Sequence, residues 1–173
     1  LPGVLDYAYS PVTIPPAPPL AATFIGYPRP EGRPGIRNEL WILPTVSCVN
    51  GLAERVAGAA RARHSGRIDG VYAYPHPYGC SQLGDDHENP RVILADLARH
   101  PNAGAVLVVG LGCDNNTMPE FRKLVESQPG VNPHTEYMVA QDAGAEEAEG
   151  LPALDRLMAA AAPPPVPLPP AAL

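Results

Sequence analysis

The middle of the chain alternates short apolar runs with stretches whose apolar residues recur every three to four positions. Glu39 to Val46 (ELWILPTV) is the first such run and predicts a strand. Val49 to His64 follows as an Ala-rich amphipathic helix, with Leu52, Val56 and Ala59 on one face and Arg55 and Arg61 off it. Gly66 ends that helix, and Gly70 to Tyr74 (GVYAY) predicts a second strand. Glu88 to Arg99 reads as a second helix, with Asn89 as N-cap, Pro90 at its first position, and Val92, Leu94, Leu97 and Ala98 on its apolar side. Ala103 to Val109 (AGAVLVV) is a continuous apolar run, the pattern of a strand buried on both faces. Thr117 to Ser127 predicts a third helix, capped by Thr117 with Pro119 just inside. Thr135 to Ala140 predicts a fourth strand, and Asp142 to Ala162 a last helix interrupted at Gly150–Pro152.

Strands that alternate with helices of this length imply βαβ crossovers. The expected fold is a three-layer α/β/α domain with a mainly parallel sheet, Rossmann- or flavodoxin-like, over residues 25–162. In such open sheets ligands bind beyond the carboxyl ends of the strands, so the chemistry is expected there. Proline sets the boundaries. Of 24 prolines, six fall in residues 1–20 and six in 163–173. Residues 1–24 read as a proline-rich linker and 163–173 as a proline-rich tail, extended segments that cannot join a helix or a central strand. Linkers at both ends, and a first residue that is Leu1 rather than Met, suit a domain that belongs to a longer protein.

Composition removes several classes of function. The 173 residues suffice for one domain with a real core. Twelve basic against 18 acidic side chains give a net charge of −6, which argues against a nucleic-acid partner. No apolar run approaches the roughly 20 residues that span a bilayer, and no secretory signal pattern is present. Three cysteines are an odd number, so reduced thiols in a cytoplasmic setting are expected rather than a disulfide scaffold.

The first three strands each run into a polar segment that holds a cysteine: Thr45 to Asn50 with Cys48, His76 to Gln82 with Cys80, and Gly110 to Asn116 with Cys113. The intervals are 32 and 33 residues, one βα unit each, so three thiols at equivalent exits can face one pocket. That suits a thiolate site for iron or another soft metal, or a nucleophile beside His76. It equally suits small residues chosen for tight turns. His76 ends an apolar strand at the ligand edge, which makes it a functional candidate. Asp85, Asp86, His87 and Glu88 form the densest ionisable stretch. They can bind a hard divalent cation, supply an acid and a base, or simply complement the dipole at the start of a helix. Ahead of the first strand, Gly26 to Asn38 holds Arg29, Arg33 and Arg37 among turn residues, Glu31 included. Arginine forks suit carboxylates, and Arg37 with Asn38 lies nearest the sheet, although a solvated loop would look the same. No G-x-G-x-x-G fingerprint supports a dinucleotide.

Read together, the runs GYPRPEGRPGIRNELWILPTVSCVN, HPYGCSQLGDDHEN and LVVGLGCDNN resemble the altronate dehydratase and galactarate dehydratase family of sugar-acid lyases, which includes sulfolactate sulfo-lyase. The resemblance covers about residues 24–142, in three blocks in the right order. It implies a hydro-lyase that dehydrates an aldonate or aldarate, D-altronate before galactarate or sulfolactate, to a 2-keto-3-deoxy sugar acid with a divalent metal, Fe2+ or else Mn2+. Within that reading His76 or His87 is the base. Arg37, Asn38, Gln82 and Asn115 hold the substrate, and Cys48, Cys80, Cys113, Asp85 and Asp86 serve the metal. Family members also carry an amino-terminal SAF domain and a further carboxy-terminal region, and these or a second copy of the chain are the partners expected to complete the site. The competing expectation is a non-catalytic α/β module that binds a ligand or another subunit.

Overall fold

Ala103–Gly110, buried at every residue, is the strand around which the rest assembles. The computed structural model describes residues 8–16, 18, 21–30, 32–63, 68–142, 146–161 and 164–173. In chain order its elements are β1 (Phe24–Gly26), β2 (Glu39–Pro44), α1 (Asn50–Arg63), β3 (Gly70–Ala73), α2 (Asp85–Ala98), β4 (Ala103–Gly110), α3 (Met118–Glu126), β5 (Thr135–Val139), α4 (Glu146–Ala160) and β6 (Val166–Leu168). Four strands form one all-parallel sheet in the order β3-β2-β4-β5. The first crossover moves to one side of β2 and the second returns past it, so the winding reverses between β2 and β4. Reversal points of this kind open a crevice at the carboxyl ends of the two central strands.

Alternation along β2 divides the core. Leu40 and Ile42 join Ala105, Leu107 and Val109 on one face, beneath Leu52, Val56 and Ala60 of α1 and Leu154, Leu157 and Met158 of α4. Trp41 and Leu43 join Val106 and Val108 on the other, beneath Leu94, Ala95 and Ala98 of α2 and Phe121 and Val125 of α3. Helices on both faces of a parallel sheet are the three-layer α/β/α arrangement expected from the sequence.

Several local expectations are corrected. Helix α2 begins at Asp85 rather than Glu88, so Asn89 is not its cap and Pro90 lies inside the helix. The cap is Gly84, at φ 59° and ψ −135°, backbone angles that suit glycine alone. Its carbonyl accepts from the N–H groups of His87 and Glu88, both at 3.0 Å, and three acids then sit in the positive first turn. Val92 is exposed and the buried stripe is Leu94, Ala95 and Ala98. In α1 the buried face is Leu52, Ala53, Val56, Ala57 and Ala60, with Ala59 half-buried at its border. Helix α4 runs unbroken through Gly150–Pro152; burial of Leu154, Leu157 and Met158 offsets the one backbone bond that Pro152 cannot make. Gly66, Glu31, residues 143–145 at the expected start of the last helix, and residues 1–7, 17, 19 and 20 of the expected linker lie outside the described residues, as do Ala162 and Pro163.

The proline-rich tail contributes a strand. β6 pairs antiparallel with β1, Phe24 opposite Leu168 and Gly26 opposite Val166, as a separate two-stranded ribbon. Pro167 is tolerated because a ribbon strand has an edge where a missing N–H costs nothing. From β1 the leading loop folds back, with Tyr27 and Gly35 exchanging backbone bonds at 2.7 and 2.9 Å. There Gly35 packs so tightly against the carbonyls of Pro101 and Arg37 that no side chain fits.

Candidate active site at the carboxyl edge of the sheet

The exits of β2 and β4 meet at the reversal point. Backbone bonds tie three loops together there: Ser47 N–H to the Tyr78 carbonyl (2.7 Å), Thr45 N–H to Val109 (2.9 Å), and Asn115 N–H to Cys80 (3.1 Å). The Asn115 side chain also donates to the Gln82 carbonyl at 3.0 Å. Between these loops lies a cavity of about 20 Å³, lined in part by Thr45, Cys80, Gln82, Asp86, His87 and Arg91, with Asp114, Asn115 and Asn116. It has room for about one water molecule.

Its walls hold polar atoms that none of the described residues satisfies. Thr45, Asp114 and Asn116 are only 6%, 7% and 7% exposed, yet among the described residues Thr45 Oγ1, Asp114 Oδ1 and Asn116 Oδ1 have no hydrogen-bond partner, and neither does Arg91 Nε. An unpaired buried polar atom costs about 1–3 kcal/mol, so four around one cavity mark a place shaped for a polar guest. Asp114 is held rigidly for this, since its Oδ2 accepts from the N–H groups of Leu111 (3.1 Å) and Gly112 (3.3 Å). Arg91 is oriented by Glu88, whose carboxylate accepts from its Nη1 at 3.0 Å.

His76 lies on the loop that supplies Tyr78 and Cys80 to this cavity, its ring 5.9 Å from that of Tyr78, and its tautomer is defined. Its Nε2 lies 3.0 Å from the Pro44 carbonyl, and a carbonyl only accepts, so the proton is on Nε2. The buried Nδ1, without a partner among the described residues, then carries a free lone pair. The Asn50 amide donates to the His76 carbonyl at 2.8 Å and fixes the loop from below.

The three thiols are neighbours. Loss of solvation pushes the exposed Cys48 thiol above its ordinary range, and Cys80 and then Cys113 add to the effect. Cys113 Sγ accepts from the Gln141 amide at 3.4 Å. Among the described residues, however, no group of three His, Cys, Asp or Glu side chains is placed to hold one metal ion. Asp85 and Asp86 are exposed on the first turn of α2, and the His87 imidazole faces Glu88 at 3.8 Å. Arg37 and Asn38 are not at this edge. They precede β2 at the opposite end of the sheet, where Arg37 pairs with Glu39 and Asn38 is buried, donating to the Asp69 carboxylate and to the Ala161 carbonyl.

Comparison with known proteins gives the family of the chain. The sequence profile of the D-galactarate dehydratase/altronate hydrolase second domain matches residues 26–162. The chain belongs to this family. It is 46% identical over 134 residues to altronate dehydratase of Escherichia coli, covering 76% of this chain and 26% of that protein. It is 52% identical over 107 residues to altronate dehydratase of Bacillus subtilis, covering 60% of this chain and 21% of that one. To the (2R)-sulfolactate sulfo-lyase subunit beta of Chromohalobacter salexigens it is 40% identical over 89 residues, 51% of this chain and 21% of that subunit. The chain therefore spans about a quarter of the length of its altronate dehydratase relatives. No solved structure matches it.

All of the unsatisfied atoms fall inside the stretch matched to the dehydratase family. Thr45, Asp114, Asn116 and Arg91 are the candidates that sequence reasoning passed over. Thr45, Asp114 and Asn116 were visible as polar residues beside the cysteines, but nothing local distinguishes a satisfied Asn from an unsatisfied one. Arg91 reads as a solvated helix residue until α2 is laid against the β4 exit. For a metal, the described residues form no complete ligand set, so no step of the chemistry below is routed through one.

Proposed function

We propose that this chain is the α/β domain of a sugar-acid hydro-lyase that converts D-altronate to a 2-keto-3-deoxy sugar acid. The observation that carries the reading is the group of four unsatisfied polar atoms at the reversal point of the sheet, with the unpartnered Nδ1 of His76 on the loop that supplies Tyr78 and Cys80 to the same cavity. Three acceptors and one arginine nitrogen suit a polyhydroxy carboxylate, whose hydroxyl groups donate and whose carboxylate accepts. Altronate is preferred to sulfolactate because the relatives at 46% and 52% identity are altronate dehydratases, against 40% for the sulfo-lyase subunit. Galactarate fits the same atoms less economically, having a second carboxylate to pair.

In this reading His76 Nδ1 takes the proton from the carbon next to the carboxylate. The bond from the neighbouring carbon to its hydroxyl breaks, and the leaving oxygen departs as water after receiving a proton, with His87 as the donor. The enol that remains becomes the 2-keto-3-deoxy acid. Arg91 holds the carboxylate as negative charge develops on it, while Thr45, Asp114 and Asn116, with Gln82 and Asn115 at the rim, orient the hydroxyls. A cavity of about 20 Å³ does not admit a six-carbon acid. The loops must open, and the remaining three quarters of the relatives' length, or a second copy, supplies the other wall. An Fe2+ or Mn2+ ion would need ligands from those parts, since no three of the described His, Cys, Asp or Glu side chains converge on one position; Cys48, Cys80 or Cys113 would add to them. Among the described residues no helix is long and apolar enough to cross a membrane, and we place the reaction in the cytoplasm.

The test uses the full natural chain, assayed anaerobically with ferrous iron and D-altronate for keto-acid release. His76→Ala is expected to lower kcat by about 100-fold or more, within the range for loss of a general base. Arg91→Lys should raise KM, and an unchanged circular dichroism spectrum should accompany both. Wild-type turnover in His76→Ala removes the proposed mechanism.

A further inference from the structure

A second cavity, of about 750 Å³, opens at the amino-terminal edge of the sheet, away from the proposed active site. Its size lies within the roughly 300–1,000 Å³ typical of small-molecule sites. The leading loop brings Arg29 and Arg33 to it, the turns before β4 and β5 bring His100 and His134, and Pro101 and Ala160 are part of its apolar wall. No acidic side chain is among the described residues that line it.

Arg29 is half-buried and held in place. Its Nε donates to the Pro101 carbonyl (2.7 Å), and one terminal nitrogen donates to the Arg37 carbonyl (3.2 Å) and to Asn38 Oδ1 (3.1 Å). All three acceptors are neutral, the Tyr27 ring lies 5.8 Å from the guanidinium, no ion pair of Arg29 is formed among the described residues, and a buried charge without a counter-charge is costly. Arg99, also at the cavity, is accounted for otherwise: it pairs with Asp96 and donates to the Ala95 and Pro129 carbonyls. The carboxyl ends of α2 and α4 point to this edge, but each carries only about half a negative charge. Arg29 and Arg33 exceed that where they face the cavity together.

We propose that the amino-edge cavity is a second ligand site, taking a small organic anion whose carboxylate or phosphate pairs with Arg29 and Arg33 while its carbon skeleton lies against the proline-lined wall. The ligand is bound there without being turned over, since His76 and the unsatisfied atoms stand at the other end of the strands. The proposal is independent of the dehydratase reading.

Calorimetric titration of the full natural chain tests it, with citrate as a carboxylate probe and fructose 1,6-bisphosphate as a phosphate probe. At least one should bind, and which one binds assigns the class. Arg33→Glu, on the exposed rim, and Ala160→Trp, which fills the cavity from an exposed helix end, should each weaken that binding by about tenfold or more. Neither position is part of the core, so both variants should keep the wild-type circular dichroism spectrum. His76→Ala should bind the probe as wild type does. Binding of neither probe, wild-type affinity in both cavity variants, or loss of binding in His76→Ala would overturn the proposal.

Discussion

Asn38 is 2% exposed and uses every hydrogen-bonding group it has at the junction of three elements. Its backbone N–H donates to Asp69 Oδ2 (2.6 Å), its side-chain amide to the Ala161 carbonyl (2.5 Å), and its Oδ1 accepts from Arg29. It therefore clamps the start of β2 to the end of α4 and to the leading loop. Asn38→Ala should cost about 1–3 kcal/mol, since it strands buried partners, and a urea denaturation midpoint will show it. His100 and His134 lie near this clamp, and burial holds both imidazoles below the ordinary value of 6.5, with Arg29 adding to the effect at His134 and Glu39 opposing it at His100. The unfolded chain thus takes up their protons first as the pH falls. Their neutral forms contribute full stability above 6.5, and that contribution is lost as the pH drops through this value toward the folded pKa values. The urea midpoint should fall between about pH 7.5 and about pH 5.5, and by less in His134→Gln.

At the level of elements, α2 and α3 show what positions the carboxyl edge. Gly84, at φ 59°, aims α2 so that Arg91 reaches the cavity. Gly84→Ala should cost about 1–3 kcal/mol by backbone strain, and a lowered thermal midpoint would record it. Phe121 of α3 is fully buried against the sheet face that carries Trp41 and Val108. Phe121→Ala should destabilise the domain by about 3–5 kcal/mol, measured by chemical denaturation, while leaving the β2 and β4 exits assembled in the molecules that remain folded. Such elements were legible in advance because their signals are local: Ala103 to Val109 shows an unbroken apolar run, and Thr117 to Ser127 a cap followed by proline. The first turn of α2 was not, since Asn89-Pro90 imitates a helix start and only packing decides that the helix begins at Asp85.

For the whole molecule, the β1–β6 ribbon stands apart from the four-stranded sheet, and its pairing joins residues 140 to 144 positions apart. Truncation after Ala161 should remove the ribbon with only a small loss of stability, below about 2 kcal/mol, because few apolar side chains of β6 are buried. A single cooperative unfolding transition should persist; its disappearance would mean that the ribbon is part of the core. The order of elements, the parallel sheet and the gathering of cysteine-bearing loops at one edge were readable from periodicity, because each element has a local signal and the alternation of strand and helix leaves parallel crossovers as its consequence. Three further features depended on tertiary structure: the reversal between β2 and β4, the separation of Arg37 and Asn38 from the thiols, and the four unpaired polar atoms. Whether a buried oxygen has a partner depends on groups brought near it from tens of residues away, and no local pattern in the chain encodes that distance.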